Sequence, residues 1–76
     1  KGLKMAVCYN KLWKLLIDKR ISIAELRKTA FISPNTMTKM RKDEMVSLGV
    51  LDRICDVLNA DYGEIVEHVR EREIHL

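Results

Sequence analysis

A single proline, Pro34, and the absence of repeats or low-complexity tracts leave no candidate linker, so the 76 residues are expected to form one domain with a modest core. Only three glycines are present, with no Gly-rich loop to cradle a phosphate, and no paired carboxylates mark an obvious cleft. An enzyme is therefore not expected. No apolar run approaches the roughly 20 residues that cross a bilayer. The basic start Lys1-Gly2-Leu3-Lys4 is not followed by a signal-peptide core before the polar Tyr9-Asn10-Lys11, so a cytoplasmic location is expected. Cys8 and Cys55 form no CxxC pair, and two free thiols in a reducing compartment fit better than a disulfide. His68 and His75 lie far from either cysteine in sequence and are expected to be solvated, because structural zinc wants clustered pairs of ligands. No metal, cofactor or small-molecule ligand is expected.

What is present is a globular balance of 47% hydrophobic and 33% charged residues, which gives no case for disorder. The net charge of +3 says little, but its distribution says more. Residues 1–60 carry twelve Lys/Arg against six Asp/Glu, whereas residues 61–76 carry two against five. From Arg27 to Lys42 there are five basic residues (Arg27, Lys28, Lys39, Arg41, Lys42) and no acid. A solvated face would account for this, and so would a phosphate-binding surface.

Helix start signals recur along the chain. Asn10 is a candidate N-cap for a helix to about Lys19 with a wide apolar stripe. Ser22-Ile23-Ala24-Glu25 is a capping box that opens a helix to about Thr29 or Ala30. Ser33-Pro34 opens another, reaching about Lys42, with proline at the first helical position where its missing N–H is not needed. Ser47 caps a fourth, whose Leu48, Leu51, Ile54, Cys55 and Leu58 keep helical spacing. Asp61 and Glu64 form a second capping box for a short fifth helix. Met5–Tyr9 and Arg72–Leu76 are read as fraying ends or extended arms in preference to a defined sheet.

Ser22 to Met40 is the segment that carries function. A connection of three to four residues, Ala30-Phe31-Ile32-Ser33, sets two short helices near a right angle and lets the second project. Leu26, Ala30, Ile32, Met37 and Met40 would pack the hairpin, leaving Pro34, Asn35, Thr36, Thr38, Lys39, Arg41 and Lys42 outward. That face suits a DNA major groove. Asparagine can pair bidentately with adenine, and lysine can reach guanine or a phosphate. Ser33 and Thr36 are short enough to bond phosphate or a base edge, while Arg41, Lys42 and Arg27 or Lys28 would clamp the flanking backbone. Pro34 offers no polar contact, so the reading face narrows to Asn35, Thr36, Thr38 and Lys39.

The run Leu26-Arg27-Lys28-Thr29-Ala30-Phe31-Ile32-Ser33-Pro34-Asn35-Thr36-Met37-Thr38-Lys39-Met40 resembles the Cro/C1-type (XRE) helix-turn-helix, and the likeness extends from Tyr9 to about Glu67. The resemblance implies an all-α, compact five-helix domain of the lambda-repressor-like kind, among small stand-alone bacterial regulators. A regulator of a vancomycin-resistance operon is among the proteins it suggests. It further implies sequence-specific binding of double-stranded DNA at a promoter operator, an inverted repeat, by a homodimer. Two positions depart from the family's usual pattern: Arg27 stands where alanine is common, and Phe31 where the turn usually has glycine. If the turn needs positive φ at Phe31, strain on the order of 1–3 kcal/mol is expected. Alternatively the turn takes another path and buries the ring.

The plainer readings fall elsewhere. Trp13 is expected to be core or half-buried, Met37 and Met40 core filler, and Cys55 a buried small hydrophobe with no nucleophilic role. The rival function is a helix-turn-helix used as a protein-interaction module, antitoxin-like or dimerising, without DNA; the unbroken positive run from Arg27 to Lys42 favours DNA. The dimer contact is expected at helix five, the tail from Val66 to Leu76 and the Met5–Tyr9 arm.

Overall fold

In the computed structural model, which describes residues 5–70, a strand β1 (Met5–Cys8) leads into helices α1 (Asn10–Lys19), α2 (Ile23–Thr29), α3 (Pro34–Arg41), α4 (Leu48–Leu58) and α5 (Tyr62–Ile65), and the chain closes on β2 (Glu67–Arg70). Three helices begin where N-cap chemistry dictates. The hydroxyls of Ser22, Ser33 and Ser47 accept from the backbone N–H groups of Glu25, Thr36 and Val50, each satisfying a donor with no intrahelical partner. The Glu25 carboxylate completes the box by accepting from Ser22 N–H at 2.9 Å, and Glu64 does the same for Asp61 N–H at 2.8 Å.

α1 departs from expectation. Its N-cap is Tyr9, which makes no side-chain cap, and Asn10 is already helical. Burial decides this boundary: Tyr9 is 1% exposed, and its N–H is given to Asp43 Oδ1 at 3.2 Å. The chain therefore enters the helix from a residue anchored in the core, and the side chain of Asn10 is left in water.

The ends of α1 to α4 share one geometry. Arg20, Phe31, Asp43 and Asn59 all have φ between 54 and 59°. Just beyond each, the N–H of Ile21, Ile32, Glu44 or Ala60 donates to the carbonyl five residues back, at 2.9 Å in every case. This is the Schellman closure, and the left-handed position in it favours glycine. Here none of the four is glycine, and Gly49 and Gly63 lie inside helices instead.

The terminal segment Met5–Cys8 does not fray. It pairs antiparallel with β2, Met5 opposite Arg70 and Cys8 opposite Glu67. Segments of four residues carry too little pattern to show the pairing until the helices bring the two ends of the domain together. The remaining tail expectation, Arg72–Leu76, lies outside the described residues.

The core includes Leu12 and Leu16 of α1, Leu26 of α2 and Ala30 just past its end, Met37 and Met40 of α3, Ile54 and Leu58 of α4, and Ile65 of α5. Trp13 is half-buried at its edge. Cys55 is half-buried as well, not enclosed as its spacing suggested, because it sits at the margin of the α4 stripe; both cysteines are free thiols. Burial, then the carboxylates of Asp52, Asp61 and Glu64, pushes the Cys55 thiol above its ordinary value. It therefore stays protonated near neutrality, the opposite of what a nucleophile needs. Among the described residues no helix is long and apolar enough to cross a membrane.

Candidate nucleic-acid interface

The hairpin α2–α3 is assembled as its spacing predicts. Leu26, Ala30, Ile32, Met37 and Met40 are all buried, with Ala30 1% exposed where the chain turns between the helices. Phe31 occupies the turn at φ 55°, so the left-handed path normally given to glycine is kept by a bulky residue. The ring does not pack into the hairpin as an alternative turn would require: it is 81% exposed.

Two ties from outside the hairpin fix it. From α4, Arg53 Nε donates to the Ala30 carbonyl at 2.8 Å and an Arg53 terminal nitrogen donates to the Phe31 carbonyl at 3.3 Å. From the start of α1, Tyr9 holds the far end of α3: its N–H reaches Asp43, and its hydroxyl donates to the Glu44 carbonyl at 2.8 Å. Burial raises the Tyr9 hydroxyl above its ordinary value; a backbone hydrogen bond at Val46 opposes this and the Asp43 charge adds to it. Neither residue carries a sequence signal for such a role. Which carbonyls stay free depends on how each helix closes and crosses its neighbours.

Of the residues singled out in the sequence, Asn35, Thr38 and Lys39 of α3 and its C-cap Lys42 form one exposed stripe at i, i+3, i+4 and i+7 spacing. Arg41 is exposed beside it. A cleft of about 580 Å³ runs between α2 and α3, with Ile23, Ala24 and Met37 forming apolar wall and Arg27, Thr38, Arg41 and Lys42 supplying the polar lining. Arg27 is half-buried there, with one guanidinium nitrogen 3.5 Å from the Ile32 carbonyl it donates to. The larger side chain at this position is thus accommodated by running along the hairpin. Lys28 is exposed but does not line the cleft.

The hydroxyls are less free than the sequence implies. Ser33 Oγ accepts from Thr36 N–H at 3.1 Å and donates to Thr36 Oγ1 at 3.0 Å, so capping occupies it. Thr36 is half-buried, not fully outward, because its hydroxyl folds onto Ser33; its own O–H hydrogen stays available. Thr38 donates to the Pro34 carbonyl at 3.0 Å, which leaves its oxygen only as an acceptor. Of the stripe residues within α3, Asn35 and Lys39 carry side-chain N–H donors that can serve a base edge.

Two helices joined by a tight turn, the second presenting a polar and basic face, define a helix-turn-helix protein. The family model for the Cro/C1-type HTH DNA-binding domain matches residues 11–71. The chain belongs to that family. Among solved structures it is similar to the transcriptional regulator VanUg (crystal form II), with 51% sequence identity, coverage of 88% of this chain and 89% of that one, and a TM-score of 0.85. No curated protein matches it. The five helices of the resemblance are all present, with the two-stranded sheet as an addition.

Proposed function

We propose that this protein is a transcriptional regulator that binds double-stranded DNA sequence-specifically, with α3 in the major groove. The observation that carries the reading is the stripe of Asn35, Thr38 and Lys39 on α3 with its C-cap Lys42, flanked by Arg27 and Arg41. In this arrangement Asn35 and Lys39 read base edges, Thr36 donates and Thr38 accepts at the groove wall, and Ser33 holds the helix start close to the backbone. Arg27, Arg41 and Lys42 neutralise phosphates on either side, and Lys28 contributes at longer range. The similarity to VanUg, itself a transcriptional regulator, supports this reading. No chemistry is catalysed: regulation comes from occupying promoter DNA, without a cofactor.

The binding unit is a homodimer that places two copies of α3 in successive major grooves about 34 Å apart over an inverted repeat. β1 and β2 make up a two-stranded sheet, so each keeps one edge of backbone N–H and C=O groups unpaired within the sheet. Such an edge offers the contact through which a second copy docks.

Fluorescence anisotropy with the upstream promoter DNA, run across a salt series, tests the proposal. Binding should weaken linearly in log–log form as salt rises and should exceed binding to unrelated duplex. Failure to bind any duplex at low salt overturns it in favour of a protein-interaction module.

A further inference from the structure

The helix-turn-helix turn carries a conformational problem that its own residues do not solve. Phe31 is held at φ 55° with its ring in water, so no packing of the side chain compensates for the left-handed backbone. The local bonds on the approach are uneven: Phe31 N–H reaches Lys28 at 3.4 Å, whereas Ile32 N–H reaches Arg27 at 2.9 Å. Just here the guanidinium of Arg53 spans the Ala30 and Phe31 carbonyls, at 2.8 and 3.3 Å. A planar fork can take two neighbouring acceptors in one rigid geometry, and its positive charge faces the negative end of α2. Arg53 comes from α4, which follows α3 in the chain, so the turn entering α3 is gripped by an element beyond α3.

We infer that Arg53 is a positioning residue for DNA reading: through the Ala30 and Phe31 carbonyls it locks the turn that aims α3, without touching DNA itself. This rests on the DNA-binding reading above. The sequence counts Arg53 as one more cation outside the basic run, so the competing role for it is a phosphate contact. The two roles separate cleanly. A phosphate contact lowers affinity for every duplex and reduces the salt slope by about 0.9 when its charge is removed. A positioning role erodes the preference for the cognate site and leaves the slope alone.

The test uses the full chain and three variants, Arg53→Lys, Arg53→Gln and the double variant with Phe31→Gly, each checked by circular dichroism to be folded at the assay temperature. Anisotropy is measured on the promoter duplex and on an unrelated duplex over a salt series. Arg53→Lys keeps the charge but loses the fork, and should lower the cognate-to-unrelated affinity ratio roughly five- to tenfold, the size of one to two net hydrogen bonds. Arg53→Gln should lower it similarly, with an unchanged salt slope. Adding Phe31→Gly, which allows the left-handed turn without strain, should restore most of the ratio. Independently of DNA, amide exchange at Phe31 and Ile32 should quicken in Arg53→Lys while the β1–β2 pairing amides keep their rates. An unchanged ratio, an equal loss on both duplexes, or a slope shallower by about 0.9 in Arg53→Gln overturns the inference and leaves DNA binding standing. A parent chain that binds no duplex overturns both.

Discussion

Replacing Phe31 by glycine should make this protein more stable, although it removes the largest side chain of the turn. Phe31 sits at φ 55°, where an L-residue bears strain on the order of 1–3 kcal/mol. Its ring is 81% exposed, so only about a fifth of its apolar surface is lost from the fold, worth a few tenths of a kcal/mol. Glycine loosens the unfolded chain and returns roughly 0.4–1 kcal/mol of the gain. The balance is a net stabilisation of about 0.5–1 kcal/mol. For a domain of this size that corresponds to a rise in Tm of roughly 3–6 °C. Thermal unfolding followed by circular dichroism reads it directly, and Phe31→Ala is the control. Alanine loses the ring but keeps the Cβ, so it should be no more stable than the parent. If Phe31→Gly proved no more stable than Phe31→Ala, the claim that this turn is strained would be wrong.

Three further variants test the same geometry. Lys39→Ala should weaken binding to the promoter site by about 1–3 kcal/mol if its ammonium reads a base, with little change on unrelated duplex by anisotropy. Arg41→Ala should weaken all duplexes alike and make the salt dependence shallower by about 0.9 in slope. Tyr9→Phe removes the donor to the Glu44 carbonyl, and should lower stability in denaturant titration by about 1 kcal/mol, water being able to reach that exposed loop. The same variant changes the alkaline limb. Burial raises the folded-state value of Tyr9 above the unfolded one, so its stabilisation is intact below about pH 10 and is lost as pH rises through the folded value. Tyr9→Phe should lose less stability over that range, keeping the parts due to Cys55, raised chiefly by burial, and to Tyr62, whose hydroxyl is raised chiefly by its hydrogen bond to Asp52.

What could be read in the sequence was whatever depends on near neighbours. Serine caps act over three residues, so Ser22, Ser33 and Ser47 mark their helices correctly. Helical spacing also picks out Leu26, Met37 and Met40 as core. The family likeness carried the turn geometry, and Phe31 obeys it despite its bulk. What depends on distant parts of the chain was not legible. β1 meets β2 only after five helices have folded between them. Tyr9 takes the cap position from Asn10 because Asp43, on another loop, accepts its N–H. In the candidate interface the stripe of Asn35, Thr38 and Lys39 is as expected, but the engagement of Thr36 with Ser33 and of Thr38 with Pro34 depends on hydroxyl rotamers that residue type does not specify.

The Tyr9 tie makes the domain resemble a caliper. β1 runs straight into Tyr9, and Tyr9 grips Asp43 and Glu44 just past the end of α3, so no slack chain separates the sheet from α3. Two copies joined through that sheet would hold their tips at a fixed span and a fixed twist. One base pair inserted between half-sites rotates one of them by about 34°, on a duplex of 10–10.5 base pairs per turn. A jointed dimer absorbs such an error, whereas a rigid one rejects it. In the proposed dimer, the anchoring of one buried tyrosine would then set how strictly the distance between two half-sites is measured.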